Sequence, residues 1–444
     1  MGRLIRSATL VQVILFALVL LASAEFVLRG PVRFAHAAHF NDFISPYIQT
    51  RAMLQGADPY SPQNLVRFWP PEVNHPDFLT KNLADGSLVY RRGIPTAYPL
   101  SALILISPVA LLPWRIAQPL WLAISVGAFL ITVAAVFSLA KHGGQTNRAY
   151  VLLALALALA PFHTGLAAGS IVIVAVAAGA AAVWSAERQR DALAGFLIAV
   201  ALGLKPQIGL PFLLYYLVRR RWRISVVACL SAAILFVIPL LRLSVGATPW
   251  LESYLYDNRV LFARGSLGDF TEANPLRFGL INFQVAAYAL LHNRSEATVV
   301  ALIITAAAGL SWLSLVSRQP RLQNDWLELS SLAVLSLLPV YHRFYDASLL
   351  IFPLSWSLRA LSSHVRTSAK AVLTVIILAF LVPGGSLLQQ LQRTGHFVVL
   401  RNSWWWRAIV LPHESWSILV LSLLLLWAMQ LQKRSLGAQL AAPE

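Results

Sequence analysis

The sequence predicts an all-α polytopic membrane protein with about 12 transmembrane helices and extracytoplasmic loops that form a cavity. Three observations support this fold class. Of the 444 residues, 58% are hydrophobic and 12% are charged, whereas an ordinary soluble domain is about half apolar and about a quarter charged. Apolar windows recur from one end of the chain to the other. Lys and Arg cluster in alternate connections between these windows, as they do in cytoplasmic loops.

The predicted spans are apolar segments separated by charged or polar connections. The first follows Arg3 and Arg6 and is long enough to cross a bilayer, so we interpret it as a retained start helix rather than a cleaved signal. The spans cover residues 9–28, 117–140, 150–162, 170–186, 192–204, 207–218, 224–241, 298–317, 326–340, 347–361, 370–388 and 415–431.

The distribution of basic residues orients these spans. With the N-terminus inside, the inner connections hold 17 Lys and Arg residues, including the arginine cluster at 219–223. The short outer tips hold only Lys205 and Arg343. This asymmetry predicts that both termini are cytoplasmic.

One further apolar segment, 98–112, would disturb this alternation if it crossed the membrane. It is short and bracketed by Pro99, Pro108 and Pro113. Because proline interrupts helices, we expect a re-entrant or interfacial helix on the outer side.

The chain is predicted to form a single integral membrane domain, 1–444, with three long outer segments. The first segment is rich in proline, so short helices and turns are expected there. The outer segments are 29–97, 242–297 and 389–414.

Several predicted spans are too short to cross the bilayer fully. A helix over 192–204 would reach only about 20 Å, against a hydrocarbon core of roughly 30 Å. Arginines anchor the inner ends, so three outer tips should stop below the outer face: 162–169, 205–206 and 341–346. Freed backbone groups cannot face lipid, and we therefore expect these tips to line a hydrated cavity open to the outside.

The predicted cavity would receive the side chains of Lys205, His342, Arg343 and Asp346. Ionisable groups at membrane depth are costly and usually functional. Asp42, on the first outer loop, is placed to lie above them. A cavity with an acid above a basic floor suits a reaction between a lipid-borne anion and a neutral, hydroxyl-rich acceptor.

Other features of the sequence indicate no competing chemistry. Cys229 is the single cysteine and lies in an apolar run, so no internal disulfide is possible. Asp58 is interpreted as a turn residue before proline. Glu72, His75 and Asp77 match no strong metal signature. Cytoplasmic loops explain the net charge of +17 better than nucleic-acid binding does, and no nucleotide-binding or Ser/His/Asp motif is present.

Several motifs resemble those of a known enzyme family. Asp42 shortly after the first span, followed by the Gly-Ala-Asp-Pro-Tyr run at 56–60, resembles the opening of the polyprenol-phosphate-mannose-dependent mannosyltransferases of glycosyltransferase family 87. The resemblance covers about residues 40–225 well and the remainder loosely. Further matches in the same order are Tyr98-Pro99, 111–113, Ala117 to Trp121, Gly169 before an apolar run, and Ala194 to Pro206 leading to 219–222.

The resemblance implies a glycosyltransferase of the C-type fold, which takes a sugar from a polyprenyl phosphate on the outer side of the membrane. The expected reaction is inverting transfer of a hexose, by this resemblance mannose, to a glycan or glycolipid. Such transfer needs a base, and Asp42 is the candidate. The alternative is that Asp42 caps a short interfacial helix through 43–54.

The lipid phosphate that leaves needs cations in a water-poor site. Lys205 is the first candidate, with His342 and Arg343 as partners. The alternatives are a snorkelling lysine and a neutral interfacial histidine. Asp346 is expected to pair with Arg343 or to cap 347–361. Tyr98, Gly169 and Tyr345 are expected to line the cavity.

The expected partners are the polyprenyl-phosphate sugar donor, a glycan or glycolipid acceptor and the lipid bilayer. No cofactor, metal or nucleic acid is expected, and the protein is placed in the plasma (inner) membrane with its site on the extracytoplasmic side. The competing hypothesis is a transporter or flippase for a lipid-linked glycan. No sequence repeat is visible, and long outer loops carrying an acid are less typical of a carrier.

Overall fold

The computed structural model describes residues 2–36, 41–73, 79–81, 88–90, 98–139, 146–245, 249–317, 325–400 and 402–441. In this part of the chain the regular structure is helical except for one antiparallel hairpin. Its strands are β1 (Leu79–Lys81) and β2 (Leu88–Tyr90), with Leu79 opposite Tyr90. The helical part of the predicted fold class is therefore confirmed.

The α-helices of the described residues follow the apolar runs of the sequence. They are α1 (Gly2–Val27), α2 (Arg33–His36), α3 (Ile44–Leu54), α4 (Pro62–Arg67), α5 (Leu100–Ala110), α6 (Trp114–Leu139), α7 (Thr146–Ala158), α8 (Ala160–Ala168), α9 (Val172–Glu187), α10 (Asp191–Leu204), α11 (Pro206–Val218), α12 (Trp222–Ser244), α13 (Trp250–Leu261), α14 (Phe283–Leu291), α15 (Arg294–Ser317), α16 (Asp325–Leu335), α17 (Ile351–Ala360), α18 (Arg366–Phe380), α19 (Gly384–Arg393) and α20 (His413–Ala441).

Shorter helical turns join several of these helices. Segments with π-helical geometry are Leu28–Val32 and Trp406–Val410, and 3₁₀ turns are Arg277–Gly279, Phe344–Leu350 and Val398–Leu400. The first π-segment makes α1 and α2 continuous, so the first span extends over Leu10–His36. Asp42 therefore does follow the first long apolar helix.

Among the described residues, six helices are long and apolar enough to cross a membrane. A seventh span results if α7 and α8, which are bent by 43° at a short break, are counted together. Pro161 lies in the first turn of α8, where its missing N–H is tolerated. A helix is present at every predicted segment, but the count of twelve crossings is not confirmed and stays a prediction.

Three predicted spans differ from the observed helices near the ends that were predicted to face outward. The span predicted at 326–340 stops as a helix at Leu335, ahead of Pro339, which cannot donate a backbone hydrogen bond. The span predicted at 347–361 begins as a 3₁₀ turn before α17. The span predicted at 370–388 is interrupted at Pro383, between α18 and α19.

The segment predicted to be re-entrant forms α5, whose 11 residues reach only about 16 Å. It packs against α3, α10 and α12. The Ser101 hydroxyl donates to the Gly203 carbonyl at 3.0 Å, and the Thr50 hydroxyl donates to the Leu103 carbonyl at 3.3 Å. A helix of this length cannot cross the bilayer by itself, which supports the re-entrant assignment.

A partly buried polar contact joins the first loop to α13. Asp58 forms the expected turn, because its Oδ1 accepts from the Tyr60 N–H at 2.9 Å. Its Oδ2 accepts from the Ser253 hydroxyl at 2.5 Å. One helical turn further along, Asp257 is 1% exposed, and neither of its carboxylate oxygens has a hydrogen-bond partner among the described residues. Burial, with the nearby Asp58, raises the pKa of Asp257 to about 8.

This raised pKa predicts a pH-dependent stability. Between about pH 4 and pH 8 the unfolded chain loses the Asp257 proton while the folded chain keeps it, so this residue lowers stability as pH rises through that window. Asp257→Asn cannot ionise. We expect its apparent melting temperature in detergent to fall less than that of the wild type between about pH 5 and pH 8. If the melting temperatures of the two proteins change with pH by the same amount, the assignment of the raised pKa to Asp257 is excluded.

Candidate active site

Asp42 lies at the meeting point of the first loop and the tip of α8. Its backbone N–H donates to the Ala168 carbonyl at 2.6 Å. Its side-chain Oδ2 accepts from the Tyr345 hydroxyl at 2.9 Å, and the residue remains partly exposed. The carboxylate is therefore held by a tyrosine from the distant 341–346 tip and still has access to a ligand.

Helix α3 is capped by the neighbour of Asp42. The Asn41 Oδ1 accepts from the Ile44 N–H at 3.2 Å. In the same turn, Phe43 stacks on Trp121 with ring centroids 4.5 Å apart and an interplanar angle of 6°. Asp42 therefore does not cap α3. Asn41 accepts the hydrogen bond from the first turn of the helix, and the Asp42 carboxylate accepts from Tyr345 instead.

Gly169 ends α8 directly beneath this turn. Its φ of +69° lies in the left-handed region, and a Cβ there would come within 2.7 Å of Phe34. Its carbonyl accepts from the Trp121 indole N–H at 3.0 Å. Gly169 was expected to line the cavity, but in the structure it is buried and its neighbour Ser170 forms the wall.

Lys205 occupies the break between α10 and α11. Its extended backbone and the following Pro206 end one helix and begin the next. Its ammonium donates to both carboxylate oxygens of Asp346, at 2.7 and 2.9 Å, and its side chain is only 13% exposed. Lys205 is thus a buried ion-pair member rather than a snorkelling lysine.

Asp346 is the centre of this buried polar cluster. It is fully buried and also accepts from His342 Nδ1 at 3.0 Å and from the Arg343 backbone N–H at 3.0 Å. The expectation of an Asp346–Arg343 pair is therefore corrected, since the partners of the carboxylate are Lys205, His342 and a main-chain donor. The last contact caps the 3₁₀ turn that leads into α17.

His342 has no exposed surface in this arrangement. Its Nδ1 contacts Asp346, and its Nε2 lies 2.9 Å from the Ser336 carbonyl. His342 would have to give up one of these contacts to bind a phosphate. The geometry therefore favours a positioning role for His342 and does not support the expected direct contact with phosphate.

Arg343 is the cation of the 341–346 tip that stays partly exposed. Its guanidinium lies 6.0 Å from the ring centroid of Tyr345 and interacts electrostatically with Tyr341 and Asp42. Lys205 Nζ lies 5.4 Å from the same Tyr345 ring. Tyr345 thus connects the candidate base to both candidate phosphate-binding cations.

The 341–346 tip is fixed by neighbouring backbone. The Ile281 N–H donates to the His342 carbonyl at 3.0 Å, and Leu280 forms an antiparallel bridge with Arg343. These contacts present Arg343 and Tyr345 towards Asp42 at defined positions.

A cavity of about 150 Å³ lies beside Tyr345. Tyr98, Ser170, Lys205 and Tyr341 contribute to its walls, and residues of α13 complete it. The expected cavity-lining role of Tyr98 agrees with this position, and its carbonyl is held by the Tyr60 hydroxyl at 2.6 Å. Two of the three predicted tips, 205–206 and 341–346, therefore reach this cavity, and residues 170–172, just after the third tip, complete its wall.

Within the described residues, no group of three His, Cys, Asp or Glu side chains is arranged to bind a metal. Of the acidic and histidine cluster in the first loop, Glu72 forms a 3.3 Å ion pair with Arg115. The other two members, His75 and Asp77, lie outside the described residues.

A comparison with family models gives the family of the chain. The model of glycosyltransferase family 87 matches residues 96–341, more than half of the chain. The chain belongs to glycosyltransferase family 87. With its long apolar helices, it is an integral membrane glycosyltransferase. Searches of curated proteins and of solved structures gave no match.

The family 87 match contains Tyr98, Gly169 and Lys205, and it ends immediately before His342. Asp42 lies ahead of the matched region, and Arg343 and Tyr345 lie beyond it. The roles of these three residues therefore rest on the geometry described above. Sequence reasoning missed Asn41 and Tyr341, although asparagine is a residue that often hydrogen-bonds the first turn of a helix.

Proposed function

We propose that this family 87 glycosyltransferase moves a hexose, mannose as first choice, from a polyprenyl-phosphate donor to a hydroxyl of a glycan or glycolipid. The observation that carries the proposal is the bond from Tyr345 to Asp42, with Arg343 and Lys205 against the same tyrosine. An acid and two cations around one ring match the needs of a hydroxyl attack on a phosphate-linked sugar.

Asp42 acts as the general base in this reaction. The acceptor hydroxyl gives its proton to the carboxylate as its oxygen bonds to the anomeric carbon. The bond from that carbon to the phosphate oxygen breaks on the opposite face, which inverts the configuration. Tyr345 donates to Oδ2 and so fixes the direction in which the carboxylate faces.

Arg343 binds the departing phosphate in our proposal. It is partly exposed, and a guanidinium can hold two phosphate oxygens at once. Lys205 already has Asp346 at 2.7 Å, so its main contribution is to position Tyr345 and to add positive potential. His342 and Asp346 hold this arrangement in place.

We place the reaction on the extracytoplasmic side of the plasma (inner) membrane. The support is the sequence asymmetry, in which basic clusters mark the inner connections and the site residues lie on the opposite tips and on the first loop. A lipid-linked donor is consistent with a sequence that contains no nucleotide-binding motif.

The competing hypothesis is a flippase or transporter for a lipid-linked glycan, which would also bind phosphate at a cationic cavity. The deciding experiment uses purified protein in detergent, radiolabelled polyprenyl-phosphate hexoses and a panel of glycan and glycolipid acceptors. We expect a labelled acceptor and free polyprenyl phosphate in equal amounts. Movement of intact labelled lipid across liposomes, with no transfer in detergent, would instead support the transporter.

A further inference from the structure

A second and larger cavity lies among the outer loops, away from Tyr345. Its volume is about 600 Å³, and we call it the loop pocket. None of its lining residues lines the cavity beside Tyr345. The polar side chains that matter most are Glu272, Arg277, Gln389, Gln392, Arg393 and Arg407.

The walls of the loop pocket are built by local hydrogen bonds. Buried Asp269 accepts from the Gly265 N–H at 2.7 Å and from the Thr271 N–H at 3.0 Å. The Asn274 amide donates to the Asp269 carbonyl at 2.7 Å. Arg393 donates to the Pro275 carbonyl and so ties α19 to this loop. The pocket is therefore a shaped site between two fixed walls.

The charge of the loop pocket is strongly unbalanced. Three guanidinium groups line it, against one carboxylate. That carboxylate, Glu272, has a side chain that is 60% exposed, and its Oε1 lies 3.9 Å from Arg277 Nη1. Such an exposed, long contact neutralises little charge.

Arg277 is the least exposed of the three cations. Its side chain is 12% exposed, and its Nη1 has no hydrogen-bond partner among the described residues. Burial lowers the pKa of Arg277, and the neighbouring positive charge of Arg407 lowers it further. The partly buried Arg277 guanidinium is thus within electrostatic reach of the exposed Arg407 guanidinium, an arrangement that a bound anion stabilises.

The remaining lining groups indicate what carries the anion. Gln389 and Gln392 present amides, which donate to and accept from hydroxyl groups. The volume is within the range of about 300–1,000 Å³ typical of small-molecule sites. We propose that the loop pocket binds a phosphate or carboxylate group on a hydroxyl-rich ligand, and that this ligand is the glycosyl acceptor.

The identification of the ligand as acceptor rests on the proposed transferase function. A short stretch of chain connects the loop pocket to the candidate active site. Leu280, which pairs with Arg343, lies three residues after Arg277. Since Arg277–Gly279 is a 3₁₀ turn with a rise of about 2 Å per residue, the chain from Arg277 to Leu280 covers about 6 Å. An acceptor anchored by its anion in the loop pocket can therefore extend a hydroxyl towards Asp42.

The test measures ligand binding to the full-length protein in detergent, without transfer. The probes are a hexose 6-phosphate, the neutral hexose and inorganic phosphate. We expect the hexose phosphate to bind about tenfold or more tightly than the neutral hexose, and Arg407→Gln or Arg277→Gln to weaken it by about tenfold. Arg264→Gln removes an equal charge from the same outer loop and should change the affinity less than about twofold.

A competition arm identifies the source of the anion. Bilayer discs containing phosphatidylglycerol, compared with phosphatidylcholine discs, will displace the hexose phosphate if the anion is a lipid phosphate and will not if it belongs to the glycan. With either outcome of this competition, the anion is bound in the loop pocket. Equal affinity for the neutral and phosphorylated hexose, or unchanged affinity in Arg407→Gln and Arg277→Gln, would overturn the inference.

Failure of this inference can be told apart from failure of the proposed function. Arg343→Gln and Asp42→Asn should retain binding of the hexose phosphate, because the loop pocket does not include them. If Arg343→Gln abolishes binding while Arg407→Gln does not, the probe occupies the transfer site and only the inference is lost. If transfer is never observed but Arg407-dependent binding is, the anion site stands and the transferase proposal is lost.

Discussion

Asp42→Asn is expected to lower the rate of sugar transfer by about 10²–10⁴-fold, the range over which a positioned general base contributes. Asparagine cannot take the proton, but its side-chain oxygen can still accept from the Tyr345 hydroxyl. Helix α3 keeps its Asn41 cap. The variant should therefore have the elution profile and apparent melting temperature of the wild type, and turnover of the radiolabelled donor measures the loss.

Asp58→Asn is the matched control, because it makes the same substitution at a second acid of the first loop. Asp58 is bonded to Tyr60 and Ser253. The folded fraction of Asp58→Asn should transfer sugar at the wild-type rate to within about twofold, since the asparagine oxygen can accept from the Tyr60 N–H while its NH2 group donates to the Ser253 hydroxyl oxygen. Full activity in Asp42→Asn, with a verified donor, would remove Asp42 as the base.

Asp346→Asn is expected to have the largest effect on stability. Asp346 is fully buried and carries the charge that balances Lys205, and it also receives the His342 contact. Removing one partner of a buried ion pair costs about 3–5 kcal/mol, because the other charge is left uncompensated. We expect a large drop in apparent melting temperature in detergent, or failure to recover folded protein.

The control for Asp346→Asn is Asp191→Asn. Asp191 pairs with Arg221 at 2.8 Å, but these side chains are 19% and 29% exposed, against 0% and 13% for Asp346 and Lys205. More exposed pairs contribute about 1 kcal/mol or less. A similar small shift for both variants would contradict the buried ion-pair cluster. To keep the test informative if Asp346→Asn does not fold, the double variant Asp346→Asn, Lys205→Met removes the unpaired charge and should recover part of the loss.

The fold could be predicted in outline because its causes act locally along the chain. A long apolar run in lipid must form a helix to satisfy its backbone groups, and proline breaks are visible as residues. The breaks at Lys205-Pro206 and near Pro339 were therefore readable, as was the short helix between Pro99 and Pro113. The residues that carry the family resemblance were readable in the same way, and the family match confirmed it.

The candidate site was only partly predictable. The sequence brought Asp42, Lys205, His342 and Arg343 together as ionisable groups near outer tips. It did not assign their partners, because Lys205 and Asp346 are 141 residues apart and Asp42 and Tyr345 are 303 apart. The expected Asp346–Arg343 pair was predicted because the two residues are close in sequence. In the folded protein Lys205, from another tip, forms the ion pair with Asp346 instead.

The sequence by itself determined a helical membrane protein of family 87, the helix breaks and the acid after the first span, since hydropathy, proline and motif order are properties of neighbouring residues. Only the tertiary structure decided that Lys205 forms an ion pair with Asp346 and that His342 is fully buried. It also decided that Asn41 rather than Asp42 caps α3, and that three arginines line the loop pocket. Each of these depends on how close packing brings distant groups, and the energy of a buried charge depends on that distance and on the exclusion of water.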